Sequence, residues 1–275
     1  MQDLAGKVAV VTGAGSGIGR SLVGAWAAVG MRVVAADIEV HALKETGTIT
    51  DGDVITVPTD VTSRDAVEHL ADQAYDAFGA VDVLCNNAGV FQGGVLWECT
   101  DADFEWTLGV NLWGILHGIR AFVPRMLAAG TAGHVVNTIS MAGLASTPFS
   151  GPYNVSKFAA MAATECLAHD LATIGAPIKV SAVCPGLVDT AIARSRRNRP
   201  AALVTEQHEG GAFVEQALAD GTARGMSPDS VADLVVEAVR AETFLVPTRD
   251  SYAQQLTDRA EDLVARRVPR SPTFD

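Results

Sequence analysis

The chain has 275 residues, 48% of them apolar and 19% charged, which suits one large α/β domain with a substantial core. Its 32 acids outnumber 20 lysines and arginines for a net charge of −12, which argues against nucleic acid as the main partner, because phosphate binding needs a basic face. No apolar run reaches the length of a membrane span, and the N-terminus has acid before base and a glycine turn, unlike a signal peptide, so we expect no membrane partner and a cytoplasmic protein.

In chain order, apolar runs at 7–12, 32–36, 53–57, 81–86, 134–139, 178–184 and 243–247 read as strands. Most are continuously apolar, without strict alternation, as a parallel sheet covered on both faces requires. Helical patterns fall between them near 17–29, 63–78, 101–129 and 152–174. This alternation predicts a single Rossmann-like domain, a doubly wound parallel sheet of about seven strands flanked by helices. Residues 187–226 carry no convincing strand and read as a helical or mobile excursion. Ser227 then fits an N-cap, Pro228 the first helical position, and Val231, Leu234, Val235 and Ala238 an apolar stripe. An amphipathic tail, 249–275, follows the last strand. No repeat, linker or boundary divides the chain.

Cys85, Cys99, Cys166 and Cys184 show no C-x-x-C pair and read as single buried thiols. His117, His134, His169 and His208 lack metal-ligand spacing, and no metal is expected. The first strand runs into "TGAGSGIG", residues 12–19, and then a helix. Such a strand–glycine turn–helix unit turns backbone N–H groups and a helix N-terminus toward a pyrophosphate. The spacing is T-G-x-x-x-G-x-G, through Thr12, Gly13, Gly17 and Gly19, with Ile18 where a G-x-G-x-x-G motif would need glycine. Asp37 ends the second strand about twenty residues on. A carboxylate there accepts both ribose hydroxyls of an adenosine and repels a 2′-phosphate, which favours NAD over NADP. Further along, "SGPYNVSKFAA" sets Tyr153 one helical turn before Lys157, on one face.

These motifs, with "DV" at 60–61, "NNAG" at 86–89, "VNLWG" at 110–114, Ser140 and "PGLVDT" at 185–190, resemble the short-chain dehydrogenase/reductase family. The resemblance runs from Gly6 to about Thr248. It implies that Tyr153 is the general acid/base and that Lys157 lowers the phenol pKa and binds the nicotinamide ribose. It also implies that Ser140 orients the reacting oxygen and that Asn111 supports the lysine through a water. For the cofactor it implies Gly13, Ser16, Gly17, Ile18 and Gly19 at the glycine turn, and Asp37, Asn87, Ala88 and Gly89 around the adenosine ribose. Asp60 and Val61 are expected at the adenine, and Pro185, Gly186, Val188 and Thr190 at the nicotinamide. The implied activity is NAD-linked interconversion of a secondary alcohol and a ketone. NADPH-dependent carbonyl reduction and a non-catalytic NAD(H)-binding sensor are the alternatives.

In the same resemblance 187–226 is a substrate lid. Arg194, Arg196, Arg197 and Arg199 in it read as a solvated basic helix, since charge runs usually face water. Phe91, Gln92, Leu144, Phe149 and Leu187 border the motifs and are candidates for a largely apolar substrate pocket. The stretch 103–130 resembles members that oxidise alcohols of bulky aromatic molecules, so a hydrophobic, cyclic or aromatic small-molecule substrate is expected. The family's helical interfaces imply a homo-oligomer, a dimer or tetramer.

Overall fold

The strand Val8–Thr12 (β1) is buried along its whole length. Alternate side chains leave it in opposite directions, and both directions meet a core. Ala9 and Val11 join Leu22 and Trp26 in one apolar cluster, while Val8 and Val10 join Leu70 and Phe122 in another. That two-sided burial is why the strands read as unbroken apolar runs.

In a computed structural model, which describes residues 1–49, 52–206 and 209–273, helix Gly17–Ala28 (α1) follows β1. Next come Arg32–Asp37 (β2), Val40–Thr46 (α2), Val54–Pro58 (β3), Arg64–Phe78 (α3) and Val83–Asn86 (β4). Asp101–Leu108 (α4) passes through a π-turn, Gly109–Trp113, into Gly114–Ala129 (α5). Gly133–Thr138 (β5), Gly151–Thr173 (α6) and Ile178–Cys184 (β6) complete the regular part. Two 3₁₀ segments, Ile192–Asn198 and Ala201–Leu203, then lead to Glu209–Thr222 (α7) and Pro228–Ala241 (α8). Leu245–Pro247 (β7) and Ser251–Val264 (α9) end the described elements.

The seven strands form one parallel sheet in the order β3-β2-β1-β4-β5-β6-β7. Helices α1 and α8 cover one face, and α3, α5 and α6 the other. Strand order reverses between β1 and β4, which opens a crevice at the carboxyl edge, the usual ligand position in such sheets.

Several expectations need correction. The pattern at 101–129 is two helices joined by the π-turn, because Asn111 is held by the Val90 backbone across the chain. Helix α2 is only seven residues long, and no period over so short a span distinguishes it. Ser227 does cap α8, accepting the Ser230 N–H at 3.2 Å. Of the expected stripe Val231, Val235 and Ala238 are buried but Leu234 is exposed; Ala232, Val236 and Val239 are buried as well, which widens the buried face on its other side. Of the cysteines, Cys85 and Cys184 are buried, Cys99 half-buried and Cys166 exposed. His134 is fully buried and bonded to Ser181, and His117 is bonded to the Val61 carbonyl. His208 lies outside the described residues. Among the described residues no helix is long and apolar enough to cross a membrane, and no cluster of potential metal ligands occurs.

Candidate active site

The carboxyl ends of the central strands open onto one cavity of about 450 Å³. At one end the chain leaves β1 through a turn in which Gly13 (φ 67°) and Gly17 (φ 49°) take left-handed angles. A Cβ on Gly13 would stand 2.7 Å from the Ala88 Cα, and one on Gly17 2.9 Å from Thr190 Cγ2, so both positions demand glycine. Thr12 Oγ1 fixes the turn to the end of β4 by accepting the N–H groups of Asn87 and Ala88 at 3.0 and 3.1 Å. The Asn87 amide donates back to the Thr12 carbonyl at 2.9 Å.

Helix α1 begins here with Ser16 at its N-cap, no side-chain cap bond, and no acid in its first turn. Its leading backbone N–H groups therefore remain as donors at the cavity wall, which fits a pyrophosphate. Asp37 stands beside the turn. Its carboxylate accepts Gly15 N–H and Glu39 N–H, both at 2.8 Å. Burial nevertheless pushes the Asp37 carboxyl up, outweighing those two bonds. No side-chain cation bonds to Asp37 among the described contacts.

At the other end the wall is made of side chains. Tyr153 and Lys157 project from α6, and Ser140 from the turn after β5. Ser140 is in extended backbone, and its hydroxyl lies 3.4 Å from the Pro185 carbonyl and accepts the Ala142 N–H at 3.1 Å. Lys157 is 3% exposed and donates to the Thr138 carbonyl at 2.9 Å. Burial pulls its pKa down to about 8. Its Nζ stands 5.8 Å from the Tyr153 ring centre.

Burial pushes the Tyr153 phenol up, against the downward pull of its hydrogen bond from Ser140. In the protein alone desolvation thus prevails at this phenol, and the nearby ammonium is directed at the Thr138 carbonyl. Phe91 packs on the tyrosine, ring centres 5.0 Å apart. Asn111 lies behind the wall. Its amide donates to the Val90 carbonyl and to Ser156 Oγ, both at 2.9 Å, and Ser156 bonds the Tyr153 carbonyl at 2.7 Å. It thereby braces the turn of α6 that carries the tyrosine and lysine.

Apart from Asn111, every expected catalytic or cofactor residue lines this cavity: Gly13, Ser16, Gly17, Ile18, Gly19, Asp37, Asp60, Val61, Asn87, Ala88, Gly89, Ser140, Tyr153, Lys157, Pro185, Gly186, Val188 and Thr190. Of the candidate pocket residues, Phe91 and Leu187 line it. Gln92 is instead buried in a polar cluster, Phe149 is exposed, and Leu144 packs against a core cluster beneath the site. Sequence reasoning missed Trp106 on α4 and Val214 and Leu218 on α7, which line the substrate end. Their positions depend on contacts with distant segments, and no local pattern marks them.

The arginine run is only partly solvated: Arg194 and Arg197 are exposed, but the others are not. Arg199 is buried, bonds Asp103 at 2.7 Å and Gln92 at 3.0 Å, and lies over Trp106. Burial alone would raise the Asp103 carboxyl, but bonds from Thr100 and Arg199 hold it below its usual range. Arg196 reaches Gln92 and the Thr205 carbonyl, and Arg197 pairs with Glu39. Arg196, Arg197 and Arg199 thus each reach across to another segment, while Arg194 is exposed as expected of a solvated charge.

Residues 7–201 match the family model described as short chain dehydrogenase, and the chain belongs to that family. Among solved structures it is similar to a short-chain dehydrogenase/reductase from Burkholderia phymatum in complex with NAD, 40% identical, with a TM-score of 0.96 and full coverage of both chains. It is 36% identical to the 1-deoxy-11-beta-hydroxypentalenate dehydrogenase of Streptomyces avermitilis, over 94% of this chain and 90% of that protein. It is 32% identical to a CLA biosynthesis dehydrogenase/reductase of Lactiplantibacillus plantarum, over 98% and 97% of the two. The protein is thus a member of an oxidoreductase family with a nicotinamide-type cofactor site.

Proposed function

We propose that the protein is an NAD-dependent oxidoreductase that interconverts a hydrophobic, cyclic or aromatic secondary alcohol and its ketone. The observation that carries this reading is the continuity of one cavity from the glycine turn and Asp37 to Ser140, Tyr153 and Lys157. The glycine turn and the N-terminus of α1 hold the pyrophosphate, and Asp37 the adenosine ribose, which disfavours a 2′-phosphate. Asp60 and Val61 flank the adenine, Asn87, Ala88 and Gly89 the adjoining ribose, and Pro185, Gly186, Val188 and Thr190 the nicotinamide. Bound NAD supplies the hydride acceptor and a positive ring.

In oxidation, Ser140 orients the substrate oxygen and Tyr153 takes its proton. A phenol pushed up by burial is a strong base once ionised, and the Lys157 ammonium and Ser140 hydroxyl stabilise the phenolate. In reduction the same phenol returns the proton. Phe91, Trp106, Leu187, Val214 and Leu218 give the reaction end an apolar wall that suits a bulky substrate. The Streptomyces relative, named for a hydroxylated substrate, is consistent with an alcohol.

We read 187–226 as the substrate lid, 249–275 as the tail of a single domain, and the free thiols as those of a cytoplasmic protein. Exposed Trp113 and Val155, at the 109–113 turn and on α6, support a homo-oligomer, a dimer or tetramer, which light scattering measures.

The test is nicotinamide absorbance change with NAD and NADP over a panel of small and bulky secondary alcohols. NAD-linked turnover is expected, with Tyr153→Phe lowering it by about 10²–10⁴-fold while NADH binding persists. Tight NADH binding without turnover on any alcohol or ketone would favour the sensor instead. Preference for NADP would overturn the role of Asp37.

A further inference from the structure

Three donors converge on one carboxylate oxygen at the rim of the cavity. Glu39 Oε1, on the loop after β2, accepts from Arg197 Nη2 at 2.7 Å, Arg197 Nε at 3.1 Å and Asn198 Nδ2 at 2.7 Å. The partners are 158 and 159 residues apart and stand on different walls of the same cavity. Arg197 is aimed by its own 3₁₀ segment, since its Nη1 also bonds the Arg194 carbonyl at 3.0 Å. Glu39 is tied to the adenosine side, because its backbone N–H is held by Asp37. The two walls also meet at Thr190 and Gly17.

The segment 192–205 carries two ion pairs of unlike character. The Arg199–Asp103 pair is 1% and 4% exposed, whereas Arg197 and Glu39 are 38% and 33% exposed. Breaking a buried pair leaves an unpaired charge in the core, while an exposed pair exchanges its partner for water at little cost. The outer fastening is the one that can open without disturbing the fold.

We infer that Glu39, Arg197 and Asn198 form a clasp that closes the rim over the bound dinucleotide and sets how fast it leaves. These are positioning residues, acting on the cofactor by holding two walls together, and the inference rests on the cofactor reading above. Asp37 grips a part of the dinucleotide; the clasp restrains its exit. Losing the clasp therefore raises the dissociation rate of any dinucleotide that fits, without reversing the preference between NAD and NADP.

The experiment is stopped-flow displacement of NADH from the full-length protein, followed by nicotinamide fluorescence, for wild type, Glu39→Ala, Arg197→Met and the double variant. Each single variant is expected to release NADH about fivefold faster, as fits an exposed ion pair, with the double variant no faster than either. Arg197→Lys should restore part of the slow release. High salt should speed wild-type release toward that of the variants and leave the variants little changed. The KM for NAD should rise while the KM for the alcohol does not. Unchanged release in both single variants, or fully additive effects in the double variant, would sink the clasp. Failure of wild type to bind NADH would instead overturn the cofactor reading, so the two failures are distinct.

Discussion

The two ends of the cavity are built from different materials. The end we assign to the dinucleotide is mainly backbone: a glycine turn, the open N–H groups of α1, and the end of β4 locked by Thr12. The reaction end is side chain: Ser140, Tyr153 and Lys157, braced from behind by Asn111 and Ser156. A backbone site works by shape, so it fails when atoms are added. A side-chain site works by charge and proton affinity, and it fails when one functional group is changed inside an intact fold.

The sharpest contrast comes from one substitution at each end. Gly13→Val puts its Cβ against Ala88 in a left-handed backbone position. It should abolish NADH binding, measured by fluorescence titration. Lys157→Met should instead keep the circular dichroism of the fold and lower kcat by about 10²-fold or more, the range of a lost proton-transfer partner.

Next in size is the buried fastening of the 192–205 segment. Arg199→Met strands the Asp103 carboxylate and should destabilise the fold by about 3–5 kcal/mol, which thermal unfolding would read as a Tm lowered by roughly 10 °C. Asp103→Leu combined with Arg199→Met should recover much of that loss. A single variant as stable as wild type would remove the distinction between the inner and outer fastenings.

Proton linkage separates the core of the sheet from the reaction end. Burial holds His134 at about 4 against 6.5 when free, so its stabilising share is complete above pH 6.5 and is lost as pH falls toward 4. That loss reaches roughly 3 kcal/mol and should appear in chemical denaturation at stepped pH, flattened in His134→Gln. Lys157 has the same sign in a higher window. Its folded pKa of about 8 lies below the free value of 10.5, so the folded chain binds fewer protons between them and stability rises with pH across that window. Oxidation needs the phenol ionised while the ammonium stays charged, so kcat/KM for oxidation should climb with pH up to about 8 and level off above it as the ammonium is lost. A smaller effect is expected at Asp37, where Asp37→Ser should improve NADPH affinity about tenfold by removing a nearby negative charge.

What was legible in the sequence follows the range of the interactions involved. The strands announced themselves because burial on both faces leaves an apolar run, and the Tyr153–Lys157 pair because one helical turn joins them. The glycine turn was legible because its constraint is local backbone geometry. The arginines were misread because a charge run shows nothing of its partners, and here Glu39 and Asp103 lie 158 and 96 residues away. The upward shift at Tyr153 was equally hidden. It depends on how much protein surrounds the phenol, which the lysine spacing does not reveal.

Tyr252 on α9 is fully buried, and its side chain occupies the place where a Cβ on Gly186 would stand. Thr248 accepts the Gly186 N–H at 3.1 Å from the same stretch. One wall of the cavity therefore leans on residues made more than sixty positions after it. On the ribosome the glycine turn, the serine and the tyrosine all emerge while that wall still lacks its support. The site is finished only when α9 docks, so a nascent chain stalled before Tyr252 carries the parts of the enzyme without its final fit.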